Sequence, residues 1–214
     1  AYEQSSDQEV AFQAVDYILR VLKKNMVFGM TWGRAMHEFV EQLAKDERLR
    51  SLSFQNVKVV PFLGTPGAIQ SDSWNTTTYS NTLATKVGNL LHCASYNLSA
   101  PMYVEGTKEK ELIESIDEIA KVLHMAETAD IALIGIGSMQ DDSSIIKAEI
   151  RTKEEYKELV RKGAVGEIVG RIYDKNGQTV DEDLKRKMVG ISLDKIAKIP
   201  VRVGMSYGKD KIEA

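Results

Sequence analysis

Gly29-Met30-Thr31-Trp32-Gly33-Arg34 sets two glycines, a hydroxyl and a guanidinium directly ahead of a segment with helical periodicity. Glycine lets a ligand approach the backbone closely, and arginine pairs bidentately with an oxyanion. A helix N-terminus adds unsatisfied N–H groups and a favourable dipole. The set suits a phosphate, and it suits equally a tight turn between strand and helix with Trp32 packed beneath it. Gly64-Thr65-Pro66-Gly67 runs into a Ser-, Thr- and Asn-rich stretch at 70–81, which reads either as a sugar-hydroxyl site or as a solvated loop with helix caps. Gly135-Ile136-Gly137-Ser138 opens like a dinucleotide fingerprint, but Gln140 stands where the third glycine belongs. What survives is a glycine turn that lets a ligand reach the sheet.

Gly204-Met205-Ser206-Tyr207-Gly208 has the G-x-S-x-G spacing of a nucleophile elbow. In that arrangement the acid and the histidine follow the serine, whereas His37, His92 and His124 all precede Ser206. The match therefore carries no hydrolase chemistry, and no catalytic residue is assigned. Lys209 and Lys211 supply charge for an anion or are solvated lysines at a helix start. Glu167 and Asp174 are candidates for an acid/base pair, though their spacing does not require one. The histidines lack i,i+4 pairing, and Cys93 is the single cysteine. That excludes an intramolecular disulfide and disfavours a dedicated zinc site. Asn75-Thr76-Thr77 and Asn97-Leu98-Ser99 fit glycosylation sequons without meaning in a cytosolic chain.

These side chains meet only if strands and helices bring them together. Val10, Ala14, Ile18, Val21 and Leu22 predict a helix, and 26–30 predicts a strand. Met36, Phe39, Val40 and Leu43 mark a second helix, 57–63 a valine-rich strand, and 82–91 a third helix. After a weak strand and Pro101, a helix from Thr107 places Leu112, Ile116, Ile119 and Leu123 on one face. Residues 131–136 are apolar on both faces, as in a buried parallel strand. Thr152 and Glu155 form a capping box closed by Gly163. Asp174-Lys175-Asn176-Gly177 predicts a hairpin turn between 168–173 and 178–180. A last strand at 201–205 precedes a helix start at Gly208. The alternation predicts an α/β fold, a Rossmann-like, mainly parallel sheet flanked by helices with a small antiparallel hairpin excursion. Ligands of such sheets bind beyond the carboxyl ends of the strands, at the loops after Met30, Leu63, Ile136 and Met205.

Composition sets the outer bounds. The chain has 214 residues, 43% hydrophobic and 28% charged, which is the make-up of a folded domain and not of a disordered chain. A net charge of -3 argues against gripping DNA unaided. The sequence holds no apolar run near the roughly 20 residues of a membrane span, and residues 1–9 resemble no signal or transit peptide. A cytoplasmic location without membrane contact is the expectation.

Several segments resemble the SorC-type, sugar-responsive bacterial transcriptional regulators. The 29–34 loop is similar to their "G-x-S-W-G-R-T" loop, and Ala100-Pro101 also fits. Ala129-Asp-Ile-Ala-Leu-Ile-Gly-Ile-Gly-Ser138 is more specific. Most specific is Gly163-Ala-Val-Gly-Glu-Ile-Val-Gly-Arg-Ile-Tyr-Asp-Lys-Asn-Gly177, followed by Val189-Gly-Ile-Ser192 and Ile199-Pro200. The resemblance runs from about Val10 onward. It implies a single effector-binding domain over 1–214, related to the glucosamine-6-phosphate deaminase and ribose-5-phosphate isomerase scaffold. On this expectation the N-terminal helix-turn-helix is absent and the C-terminal end is truncated.

The resemblance further implies a phosphorylated sugar effector, no cofactor, no metal and no enzymatic turnover. DNA would be contacted only through the missing domain, by a homo-dimer or homo-tetramer. Thr31, Gly33 and Arg34 would cradle the phosphate, with Gly64 and Asn75 nearby. Gly135, Gly137 and Ser138 would line the sugar, and Glu167 and Asp174 would meet hydroxyls. Lys211 would match the lysine of the family's "A-G-G-x-x-K" segment. The alternative is an isomerase or deaminase on the same scaffold. Three departures bear on the ligand. Ala35 replaces the usual threonine, Ser206-Tyr207-Gly208 replaces Ala-Gly-Gly with a bulkier Tyr207, and Leu63 stands where some members carry a basic residue.

Overall fold

The computed structural model describes residues 7–66, 76–141, 143–212 and 214. Its α-helices are α1 (Asp7–Val21), α2 (Arg34–Leu43), α3 (Ser80–Leu90), α4 (Thr107–Glu114), α5 (Asp117–Glu127), α6 (Ser144–Lys147), α7 (Lys153–Arg161), α8 (Glu182–Lys187) and α9 (Leu193–Ile196). Its strands are β1 (Val27–Met30), β2 (Lys58–Pro61), β3 (Ala94–Ser95), β4 (Ile131–Ser138), β5 (Ala164–Ile168), β6 (Arg171–Asp174) and β7 (Val201–Met205). Short 3-10 turns occupy Glu47–Arg50, Thr76–Thr78 and Lys209–Lys211. The last of these takes the place of the helix expected after Gly208.

The expected sheet is present. Strands β3, β2, β1, β4 and β7 lie side by side in that order, every pairing parallel. At its far end β4 turns to pair antiparallel with β5, and β5 pairs antiparallel with β6. Side chains alternate across the parallel part. Phe28, Met30, Ile131 and Leu133 enter a core built with α1, α2 and α3. Ala132 and Ile134 enter a second core with Tyr156, Leu159, Ile172 and Met188. β4 is buried through its first four residues because it belongs to both.

Chain order carries the functional consequence. From β1 the chain moves to β2 and β3 on one side, then returns to β4 and β7 on the other. Neighbouring β1 and β4 therefore lead their following segments to opposite sides, and a crevice opens between their carboxyl ends.

Two local readings need correction. The helix expected from Thr107 is two helices. Ser115 donates its hydroxyl to Leu112 O and caps α4, and α5 restarts after Ile116 in extended backbone. The break re-phases the stripe, so Ile119, Val122 and Ala126 are buried while Leu112 is 70% exposed and Ile116 49%. The segment 168–173, expected as one strand, turns at Val169 and Gly170, with φ values of 54° and 70°. The principal hairpin is thus β5–β6. Asp174-Lys175-Asn176-Gly177 forms a second, smaller turn, where Gly177 N donates to Asp174 O over 2.8 Å and Tyr173 bridges Thr179.

Candidate functional site

A pocket lies at the crevice between β1 and β4. Its wall is formed by Trp32, Gly33, Arg34 and Ala35 after β1, and by Gly135, Ile136, Gly137 and Ser138 of β4. Ser143, Ser144, Glu167 and Lys211 complete it. Seven positions expected from the sequence (Gly33, Arg34, Gly135, Gly137, Ser138, Glu167 and Lys211) meet here.

Each arrives for a physical reason. Gly33 caps α2 with φ 105°, a conformation glycine adopts without strain. Its own N–H donates to Thr78 O over 2.9 Å. The first turn of α2, with Arg34 and Ala35, lies against the pocket. Gly137 pairs with Glu167 across the antiparallel register. A β-carbon at Gly137 would sit 2.7 Å from Glu167 Oε2, so glycine is what admits that carboxylate. Lys211 reaches the pocket from the turn after β7, its ammonium 4.8 Å from the centre of the Tyr207 ring. Tyr207 itself packs against the first core. Its bulk thus supports the lysine as a cation–π partner.

Glu167 is the chemically distinctive group. It is 6% exposed, and one carboxylate oxygen accepts from Gly170 N. The Trp32 side chain also hydrogen-bonds it. Burial pushes its pKa up to about 7, against the opposing pull of the Gly170 N–H, the Trp32 contact and the charges of Arg171 and Lys211. Near neutral pH such a carboxyl can accept a hydrogen bond from a hydroxyl or, protonated, donate one. Trp32 is 4% exposed yet lines the pocket, so the packed turn and the pocket-lining loop are the same object.

Other expected residues lie elsewhere. Thr31 is 1% exposed, and its hydroxyl accepts from Gly135 N over 2.9 Å. It braces β1 against β4 and is not among the pocket-lining residues. Gly64 serves packing, because a β-carbon there would approach Ala100 O to 2.5 Å. Asp174 is spent on its own turn, accepting from Asn176 N at 2.8 Å and Gln178 N at 2.9 Å. It sits at the end of the hairpin away from the Val169–Gly170 turn, so it does not pair with Glu167. Asn75 lies outside the described residues. Of the polar stretch 70–81, the described part braces loops. Ser80 donates to Met30 O at 3.1 Å, and Asn81 holds Thr65 and Leu98.

Ser143 and Ser144 were not anticipated. Ser143 accepts from Ile146 N as the cap of α6, a helix too short to announce itself by periodicity. Among the described residues no cluster of three or more metal-ligating side chains occurs. No described helix is long and apolar enough to cross a membrane.

Residues 1–214 match a family described as "Putative sugar-binding domain". The chain belongs to this sugar-binding domain family. Relatives of the chain include transcriptional regulators. The transcriptional regulator LsrR of Enterobacter sp. (strain 638) is 25% identical over 205 residues, covering 94% of this chain and 58% of that protein. The sorbitol operon regulator of Klebsiella pneumoniae is 27% identical over 194 residues, covering 90% of this chain and 58% of that protein. The chain thus spans less than two thirds of the curated relatives it matches. The full-length sorbitol operon regulator SorC of Klebsiella pneumoniae superposes with a TM-score of 0.85 at 23% identity, covering 100% of this chain and 66% of that one. A DeoR family transcriptional regulator from Listeria monocytogenes gives 0.82 at 23%, covering 97% and 77%. These likenesses establish a SorC-type sugar-binding domain fold.

Proposed function

We propose that this sugar-binding domain is the effector sensor of a bacterial transcriptional regulator and that its ligand is a phosphorylated sugar. One observation carries the reading. A single pocket at the β1–β4 switch point joins two cations, Arg34 and Lys211, with a buried carboxyl, Glu167. The phosphate would lie with Arg34, Lys211 and the serine hydroxyls, where a helix N-terminus adds partial positive charge. The sugar would lie over Gly135 and Gly137, with a hydroxyl at Glu167. The chain is net negative, so the anion needs this local concentration of positive charge. Binding would shift the population of a homo-dimer or homo-tetramer between DNA-binding states, which requires unequal affinity for the two.

Calorimetric titration with a panel of pentose and hexose phosphates and their unphosphorylated sugars tests this. Stoichiometric binding confined to the phosphorylated compounds, with no product formed, is the expected result. Steady turnover would overturn it and favour the isomerase or deaminase reading, for which Glu167 would be the general base. Sedimentation of the intact regulator, with and without ligand, tests the assembly. A strictly monomeric protein in both states would remove the quaternary part.

A further inference from the structure

The two-residue turn that holds Glu167 puts a β-branched residue where such hairpin turns ordinarily take Asn, Asp or Gly. Both of its residues have positive φ, and Val169 is β-branched, so its 54° is a conformation that only its surroundings can impose. Val169 is 1% exposed, and a β-carbon at Gly170 would lie 2.2 Å from Met188 Cε. The following residue, Arg171, is 4% exposed. Its Nη1 donates back to Val169 O over 2.8 Å, and its Nη2 donates to Gly190 O over 3.2 Å. Gly190 in turn bridges Leu63, and Gly64 N donates to Val189 O. Both hydrogen bonds of this guanidinium go to main-chain carbonyls. No carboxylate lies within ion-pair reach of it among the described residues.

We infer that Arg171 is a positioning residue of the effector pocket: it clamps Val169 in the left-handed conformation, aims the Gly170 N–H at Glu167, and ties that turn to the Leu63–Gly64 loop. This rests on the reading of the pocket as an effector site. A neutral side chain could hold carbonyls too. The positive charge has a second effect, because it favours the ionised form of Glu167 against burial. Burial in turn pushes the pKa of Arg171 down to about 10, opposed by the charges of Glu114 and Glu167. The groups facing Glu167 are Arg171 and Tyr173 from β6, Lys211 from the turn after β7, Trp32 from the loop after β1, and the Gly170 N–H.

The test needs a readout that does not depend on a sugar phosphate. Trp32 touches Glu167, and Trp74 is the only other tryptophan, so a Trp74→Phe background makes fluorescence report that carboxyl. A titration with a near-neutral midpoint, abolished by Glu167→Gln, is expected in the unliganded chain. Arg171→Gln should move the midpoint up by at least about half a pH unit. It should leave binding of inorganic phosphate unchanged while weakening the best sugar phosphate of the panel roughly tenfold. Arg171→Lys keeps the charge but cannot span both carbonyls. It should preserve the midpoint and accelerate hydrogen exchange of the Gly170 amide at constant pH. An unmoved midpoint in Arg171→Gln would overturn the inference, and so would unchanged Gly170 exchange in Arg171→Lys, which also decides the matter if the glutamine variant fails to fold. A pocket that binds no sugar phosphate but shows both effects would sink the effector reading and leave the positioning role standing.

Discussion

Two arginines, 20 residues apart in the chain, one half-buried and one buried, meet opposite fates. Arg151 faces Asp181, with Nε–Oδ2 at 2.8 Å and Nη2–Oδ1 at 3.1 Å, side chains 10% and 7% exposed. Nη2 also reaches Asp183, Nη1 reaches Ile150 O, and Asp181 caps α8 through Leu184 N. Burial alone would lower the pKa of Arg151, but the hydrogen bonds and charge of Asp181 win and raise it. Arg171 has only carbonyls, and there burial wins. Where donors and acceptors close on one another, a charged cluster is a structural clamp. Where the compensation is incomplete, the charge acts on a neighbour, and that neighbour lines the pocket. The same contrast separates the two carboxylates expected to act together, since Asp174 is held low by its own turn amides and Glu167 is pushed up by burial.

The largest effect should come from breaking the closed cluster. Arg151→Ala strands Asp181 in a buried site and should cost about 3–5 kcal/mol in urea denaturation, with sugar-phosphate affinity retained while the chain is folded. Glu167→Gln should act in the opposite sense. The folded pKa of Glu167, about 7, lies above its ordinary value of 4.5, so its contribution to stability is fully present below pH 4.5 and is lost as pH rises to about 7. Glutamine keeps an acceptor for Gly170 N, so the variant should flatten that slope and be more stable at pH 8 by up to roughly 3 kcal/mol. Unfolding curves from pH 4 to pH 8 show whether the slope disappears.

On the cationic side of the pocket, Arg34→Ala should weaken the best sugar phosphate by roughly 1.5–3 kcal/mol, and Lys211→Ala by somewhat less, since lysine acts as a point charge. Neither should change thermal stability by more than about 0.5 kcal/mol. Unaltered affinity in the arginine variant would end its assignment to the phosphate. The smallest effect is expected at Tyr207, which carries Lys211 against its ring. Tyr207→Leu should cost about 0.5–1 kcal/mol of affinity, while Tyr207→Phe should retain it. Equal losses in the two variants would point to the hydroxyl instead.

Much of this was legible from residue types and spacing. Hydrophobic periodicity located the strands and most helices and pointed to the loops after Met30, Leu63, Ile136 and Met205, and the strand order of the fold then put the pocket at the β1–β4 crevice, with Lys211 reaching it from beyond β7. Glycines 33, 135 and 137 were conspicuous there because close approach leaves few alternatives. Local signals failed where the deciding partner lay far along the chain. Thr31 looks like a phosphate ligand until Gly135, 104 residues away, donates to its hydroxyl. Ser143 caps, and Ser144 opens, a helix of four residues with no pattern to find.

The sequence by itself determined the fold class, the family and the carboxyl ends of the strands as the place to look. The fold class and the strand ends follow from periodicity, turn chemistry and segment order, and the family from the resemblance carried by the segments at 29–34, 129–138 and 163–177, all of them signals local in the chain. Lys-Asn-Gly at 175–177 announced its own turn in this way. The turn at Val169 and Gly170 could not be announced, since valine argues against the conformation it adopts. Tertiary structure alone decided which polar side chains face the pocket and which act as braces, and what charge Glu167 carries near neutral pH. That charge depends on burial and on Arg171, Lys211 and Trp32, brought together from separate strands and loops, and no spacing along the chain encodes such a field.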